Sequence, residues 1–218
     1  MQAGQSRRGK KSHREKKDSK EAEEVMVVNR SDLFVGGTWH GLRTEGIDKI
    51  VDLIKSKHAF LPRGKVETDT SWQQIIPYMV FINDGCVFVM QRKGDHTEAR
   101  LANNYSLGIG GHINAQDIGD SDIMAWAKRE FEEETDYEGT FNGEFVGVLN
   151  DDSNEVGSVH IGLVIFVHGD SNKISVKSEH KSGEMITIDK VGKHYGDMET
   201  WSQIVYDYLS ARYATKTN

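Results

Sequence analysis

Residues 107–113 read Leu-Gly-Ile-Gly-Gly-His-Ile, and residues 127–137 read Ala-Lys-Arg-Glu-Phe-Glu-Glu-Glu-Thr-Asp-Tyr. Apolar spacing predicts a helix over about 121–135, with Ile123, Met124, Ala127 and Phe131 as its buried stripe. Its last turns gather carboxylates, and on a 3.6-residue period Glu130, Glu133 and Glu134 share one face. Like charges at that spacing cost roughly 0.2–0.5 kcal/mol per pair. Acids at a helix C-terminus also face the negative end of the macrodipole, at about 0.3–1 kcal/mol each. A divalent cation held by several carboxylate oxygens would offset both terms, and Mg²⁺ sites commonly serve phosphate chemistry.

A glycine pair, a loop, then Arg-Glu-apolar-x-Glu-Glu on a helix resembles the Nudix box of the Nudix hydrolases. The family pattern runs Gly, five residues, Glu, seven residues, Arg-Glu-apolar-x-Glu-Glu-x-Gly-apolar. Gly111 fits the opening glycine, and Arg129 through Glu134 fit the charged block in full. There are three departures. Asp117 stands where Glu is usual; eleven residues rather than seven separate it from Arg129; and Asp136 replaces the closing Gly. Asp tolerates the left-handed, helix-ending conformation better than most residues. None of the departures touches the carboxylates. The box spans about thirty residues, and element order extends the resemblance over roughly residues 75–212.

The resemblance implies an α/β/α sandwich with a mixed sheet. It also implies metal-dependent hydrolysis of a pyrophosphate bond in a nucleoside diphosphate linked to another moiety. By the same resemblance the Gly111 carbonyl joins Glu130, Glu133 and Glu134 as metal ligands. Hard oxygen donors select Mg²⁺ or Mn²⁺ rather than zinc. Arg129 then orients a box glutamate through an ion pair. Asp117 is a short and displaced partner for it, and Asp120 or Asp122 could substitute. The segment Lys177 to Met185 is similar to a loop and strand found after the core sheet in some Nudix enzymes, where an acid five residues before the strand-opening glutamate joins the metal site or activates water. Glu179 holds that position relative to Glu184. The catalytic candidates are therefore Glu133, Glu179 and Arg129.

Each of these residues has a plainer reading. An acidic helix face alone is often a salt-bridged surface. Gly108, Gly110 and Gly111 let a backbone pass close to a metal or phosphate, but turns use glycine too. His112 could bond phosphate or simply pack. Arg92, Lys93 and Arg100 could clamp a diphosphate or be ordinary surface charge. Trp126, four before Glu130, reads as packing, since aromatic rings at helical spacing usually bury area. Cys86 sits in an apolar run and reads as inert core. The substrate-binding candidates are Arg92, Arg100, Gly110 and His112.

The chain of 218 residues carries a formal net charge of −7 with one cysteine. That rules out an internal disulfide and suits a reducing compartment, so cytoplasm is the expected location. The longest apolar run, near Ile161–Val167, is far short of the roughly 20 residues a membrane helix needs. Residues 1–24 hold eight Lys/Arg against five Asp/Glu, a net of +3, which leaves the remainder at −10. An acidic body argues against gripping a nucleic-acid backbone. RNA contact through the basic tail is therefore not favoured over a small-molecule nucleotide, and a homodimer is left open.

Residues 1–24 contain too little apolar surface to repay ordering entropy and read as a disordered or fraying helical tail. Residues 25–74 read as an N-terminal extension packed on the core, with a strand at 25–28 and a helix over about 45–57 built on Ile47, Ile50, Val51 and Ile54. The catalytic domain, 75–218, should open with strands 75–82 and 86–91 joined through Asn83-Asp84-Gly85, a strong hairpin signal. A polar loop over 92–104 leads to a strand at 105–109. After the acidic helix come strands near 140–149, 156–168 and 184–188, and a final helix near 198–212. Two rivals share this fold. A non-hydrolytic binder of RNA or a nucleotide signal should have lost the carboxylates, which this chain keeps. Isoprenoid-type diphosphate isomerisation uses an active-site cysteine, and Cys86 lies far from the glycine loop in sequence.

Overall fold

The computed structural model describes residues 20–92, 104–118, 122–177 and 180–214. Among them twelve strands run in chain order: β1 (Glu24–Asn29), β2 (Gly41–Arg43), β3 (Ala59–Pro62), β4 (Trp72–Asn83), β5 (Cys86–Arg92), β6 (Tyr105–Ser106), β7 (Gly108–Gly110), β8 (Thr135–Tyr137), β9 (Phe141–Asn150), β10 (His160–Gly169), β11 (Ile174–Val176) and β12 (His180–Thr187). Among the described residues the long helices are α1 (Ile47–Lys57), α2 (Ile123–Glu134) and α3 (Thr200–Ala214).

Ten strands form one mixed sheet whose spine is β12-β5-β4-β10-β9-β2, with β1, β3, β6 and β7 joined to it. The β4–β10 ladder is parallel, from Gln74 opposite His160 to Ile82 opposite His168, and its neighbours are antiparallel. The predicted hairpin turn is made as its sequence asks. Asp84 (φ 45°) and Gly85 (φ 71°) both take the left-handed region, so Asn83 pairs Cys86 across a two-residue turn.

Strand alternation divides the core in two. Ile75, Met79 and Phe81 of β4, Phe88 and Met90 of β5, and Ile161, Leu163, Ile165 and Val167 of β10 face α1 and α2. Tyr78, Val80, Ile82, Val87, Val89, Val164 and Phe166 point the other way, where Val205 and Leu209 of α3 cover them. The result is the expected α/β/α sandwich.

The N-terminal segment is built into that sheet. β1 pairs with β4 and β3, β2 pairs with β9, and α1 packs its Ile54, with Ile47, Ile50 and Leu53, on the face that carries α2. Leu53, not Val51, completes the α1 stripe. The short strands β2, β3, β8 and β11 were not legible in the sequence, because each is held by a partner far along the chain. Residues Gly157–Val159 form a tight helical turn instead of opening a strand, which starts at His160. The stretch 180–187 pairs along β5 over a longer run than the expected 184–188. Residues 1–19 of the basic tail lie outside the described residues. Among the described residues no helix is long and apolar enough to cross a membrane.

Candidate active site

The glycine strand β7 lies antiparallel on β4, with Gly108 opposite Val80 and Gly110 opposite Tyr78. Its glycines answer different needs. A β-carbon on Gly108 would fall within the Tyr78 ring, and one on Gly110 would stand 2.9 Å from the Pro77 carbonyl oxygen. At these two positions the close approach is to β4. Gly111 differs: its missing β-carbon leaves room for Glu130, whose Oε1 lies 2.6 Å from where that carbon would be. The Trp126 ring lies 3.6 Å from the same point and is buried, so this indole packs beneath the loop.

Helix α2 is set by its ends. Asp122 caps it, accepting the Ala125 N–H at 2.8 Å, so this residue serves the helix start. Trp126, Ala127 and Phe131 face the core, while Glu130 and Glu134 are half-buried and Glu133 is exposed. Arg129 reaches Glu133 one turn on, Nη1 to Oε1 at 3.6 Å. At the C-terminus Lys177 donates its Nζ to the Glu132 carbonyl (2.6 Å) and its backbone N–H to that of Glu134 (3.0 Å). Its charge thus sits at the negative end of the helix, supplying part of the compensation that the acid block requires. The sequence offered no local signal for this, since Lys177 is 45 residues away from its acceptor.

His112 turns inward. Its Nε2 lies 2.9 Å from Gln74 Oε1 and 3.4 Å from His160 Nε2, and the His160 Nδ1 lies 2.7 Å from the Val156 carbonyl. Burial, then the positive charge of Arg63 and the neighbouring His160 and Lys20, hold the His112 imidazole well below its usual range. A neutral ring engaged with Gln74 is a poorer phosphate donor than an imidazolium. Cys86, at the start of β5, is a half-buried free thiol.

Two of the residues expected to hold metal, Gly111 and Glu130, come together across the loop–helix junction, the Glu130 carboxylate lying against Gly111. Glu133 and Glu134 stand one turn further along the same helix. Among the described residues, no three His, Cys, Asp or Glu side chains are grouped closely enough to hold an ion. Lys93, Arg100, Asp120 and Glu179, and the side chains of Arg92 and Asp117, lie outside the described residues. The candidate donors are all oxygens, and the Glu130 carboxylate occupies space that only a glycine at 111 leaves open; oxygen donors of this kind suit a small hard cation.

No family model matches the chain. It is 31% identical over 201 residues to protein YmaB of Bacillus subtilis (strain 168), covering 86% of this chain and 97% of that one. Tm1382, whose crystal structure carries a provisional assignment as a Nudix hydrolase, superposes with a TM-score of 0.70 at 28% identity over 86% of this chain and 98% of its own. The NUDIX domain of Shewanella oneidensis NrtR, solved with ADP ribose, shares the fold at a TM-score of 0.51 and 12% identity, over 64% of this chain and 88% of that one. The chain belongs to the Nudix hydrolase superfamily. Hydrolysis of a pyrophosphate bond is the chemistry that membership supports.

Proposed function

We propose that the protein hydrolyses a pyrophosphate bond in a nucleoside diphosphate linked to another moiety, with Mg²⁺ or Mn²⁺ held by the Gly111 carbonyl, Glu130, Glu133 and Glu134. The observation that carries this reading is the Glu130 carboxylate lodged against Gly111, which ties the glycine strand to the acid helix at the matching positions of the Nudix box. A cation bound there would neutralise phosphate oxygens and polarise a water for in-line attack.

The chain's own groups divide the remaining work. The Glu130 carboxylate lies against Gly111, where it would hold a cation facing the phosphate. Glu133 is exposed and within 3.6 Å of Arg129, which restrains it. It is one candidate to take the proton from water, with Glu179 the other. A small-molecule nucleotide is the substrate this reading favours, since the acidic body repels polyanions at short range.

The test is turnover of ADP-ribose, nucleotide sugars, dinucleotides, capped RNA and nucleoside triphosphates with Mg²⁺ or Mn²⁺, with products resolved by chromatography. Release of a nucleoside monophosphate together with the phosphorylated second moiety is expected from at least one diphosphate compound. Failure to turn over any of them with either ion overturns the reading.

A further inference from the structure

β7 carries a single side chain, the buried Ile109, between two glycines, so much of its placement falls to its surroundings. The residues leading into it are tied, one after another, to the first turn of α3 on the far face of the sheet. Tyr105 accepts the Glu199 N–H through its carbonyl at 3.1 Å. Ser106 donates its hydroxyl to Glu199 Oε1 at 2.6 Å and accepts the Gly108 N–H at 3.3 Å. The Leu107 N–H donates to Ser202 Oγ at 3.0 Å. Tyr78 closes the group: its ring covers Gly108, its hydroxyl donates to Glu199 Oε1 at 3.1 Å, and the same oxygen lies 2.7 Å from Ser202 Oγ. Ser106, Ser202, Tyr78 and Glu199 are all buried.

This polar group interrupts an otherwise apolar contact between α3 and the sheet. A buried hydrogen-bonded network fixes one geometry where apolar packing tolerates sliding. What it fixes is the stretch that ends, three residues past Gly108, at the Gly111–Glu130 contact. Tyr78 acts twice, since its backbone also pairs Gly110 in the ladder.

We propose that Tyr78, Glu199 and Ser202 are positioning residues that set the Gly110–Gly111 backbone against Glu130, and so tune the affinity of the carboxylate site for its divalent ion. The inference rests on the metal-dependent reading given above. Glu199 and Ser202 hydrogen-bond the residues that lead into the glycine strand, Tyr78 bonds to both, and the three act through that strand.

Mn²⁺ titration of the full-length, metal-stripped protein, followed by the electron paramagnetic resonance signal of free Mn²⁺, tests this without relying on turnover. Tyr78→Phe keeps the ring over Gly108 and removes only the hydroxyl, Ser202→Ala releases Leu107, and Glu199→Gln keeps an acceptor for the hydroxyls. Tyr78→Phe and Ser202→Ala should each weaken Mn²⁺ binding about tenfold, the lower end of what losing a group behind a metal ligand costs. Glu199→Gln should restore most of the affinity lost in Glu199→Ala. If Tyr78→Phe and Ser202→Ala bind Mn²⁺ within twofold of the parent while melting lower, the network is structural glue and the inference falls alone. If the parent protein itself binds no Mn²⁺, the metal-dependent reading falls and takes the inference with it.

Discussion

Glu130 Oε1 sits 2.6 Å from the point that a β-carbon on Gly111 would occupy, so the acid helix and the end of the glycine strand share one space. Gly111→Ala would therefore push the carboxylate aside. The obstructing atom is the end of a flexible side chain, so stability should change by less than about 1 kcal/mol. Metal affinity should fall about 10- to 100-fold, as when the support of a metal ligand is removed. Gly108→Ala should do the reverse, driving a methyl into the Tyr78 ring at an overpacking cost of about 1–3 kcal/mol or more. Thermal melts and Mn²⁺ titrations of the two variants, side by side, check the contrast.

Glu130→Gln, Glu133→Gln and Glu134→Gln each remove one charge at constant size. Relief of repulsion, roughly 0.2–0.5 kcal/mol per like-charged pair, should leave the fold intact or slightly more stable. Turnover at saturating metal should drop by about 10² or more, the scale of a lost, well-placed electrostatic group. A variant that keeps near-parental kcat identifies a residue that is no ligand.

Removal of divalent ions by EDTA should abolish hydrolysis, and Mg²⁺ or Mn²⁺ should restore it, given the all-oxygen donor set. Undiminished turnover in protein verified metal-free by elemental analysis would contradict this.

Lys177→Met should loosen the end of α2. It removes the Nζ bond to the Glu132 carbonyl and a positive charge from the helix C-terminus, while the backbone bond to Glu134 remains. The expected loss is about 0.3–1 kcal/mol, seen as a fall in Tm of up to about 4 °C for a chain of this size. An unchanged Tm would show that the acid block needs no such cation.

Asp151 links stability to acid pH. Its buried carboxylate accepts hydrogen bonds from the Ser153 N–H, Asn154 Nδ2 and Thr200 Oγ1. Burial pushes its pKa up, but the bonds from Ser153 and Thr200 and the nearby His40 outweigh that and hold it below the ordinary aspartate value. The unfolded chain then binds the proton more readily. The linked stability is fully present above about pH 3.9 and is lost as pH falls through the lower folded-state value. Asp151→Asn should flatten the acid limb of a stability–pH curve, at a cost of about 1–3 kcal/mol at neutral pH. Parallel acid limbs for the two proteins would refute the assignment.

What the sequence determined by itself was local. Period-two and period-3.6 patterning located β4, β5, β10 and the helices α1, α2 and α3, and the Asn-Asp-Gly turn announced its hairpin, because these depend on residues a few places apart. The spacing of Gly111, Arg129 and the three glutamates carried the family resemblance for the same reason. Tertiary structure alone decided what each of these groups faces. It gave Gly108 to the Tyr78 ring, Gly111 to Glu130 and His112 to Gln74, and it brought Lys177 to the end of α2 and Glu199 behind the glycine strand. It also wove residues 24–74 into the central sheet through β1 and β2. Those pairings join positions tens of residues apart, and a contact at that range exists only once the sheet and its two helical layers have fixed where every strand lies.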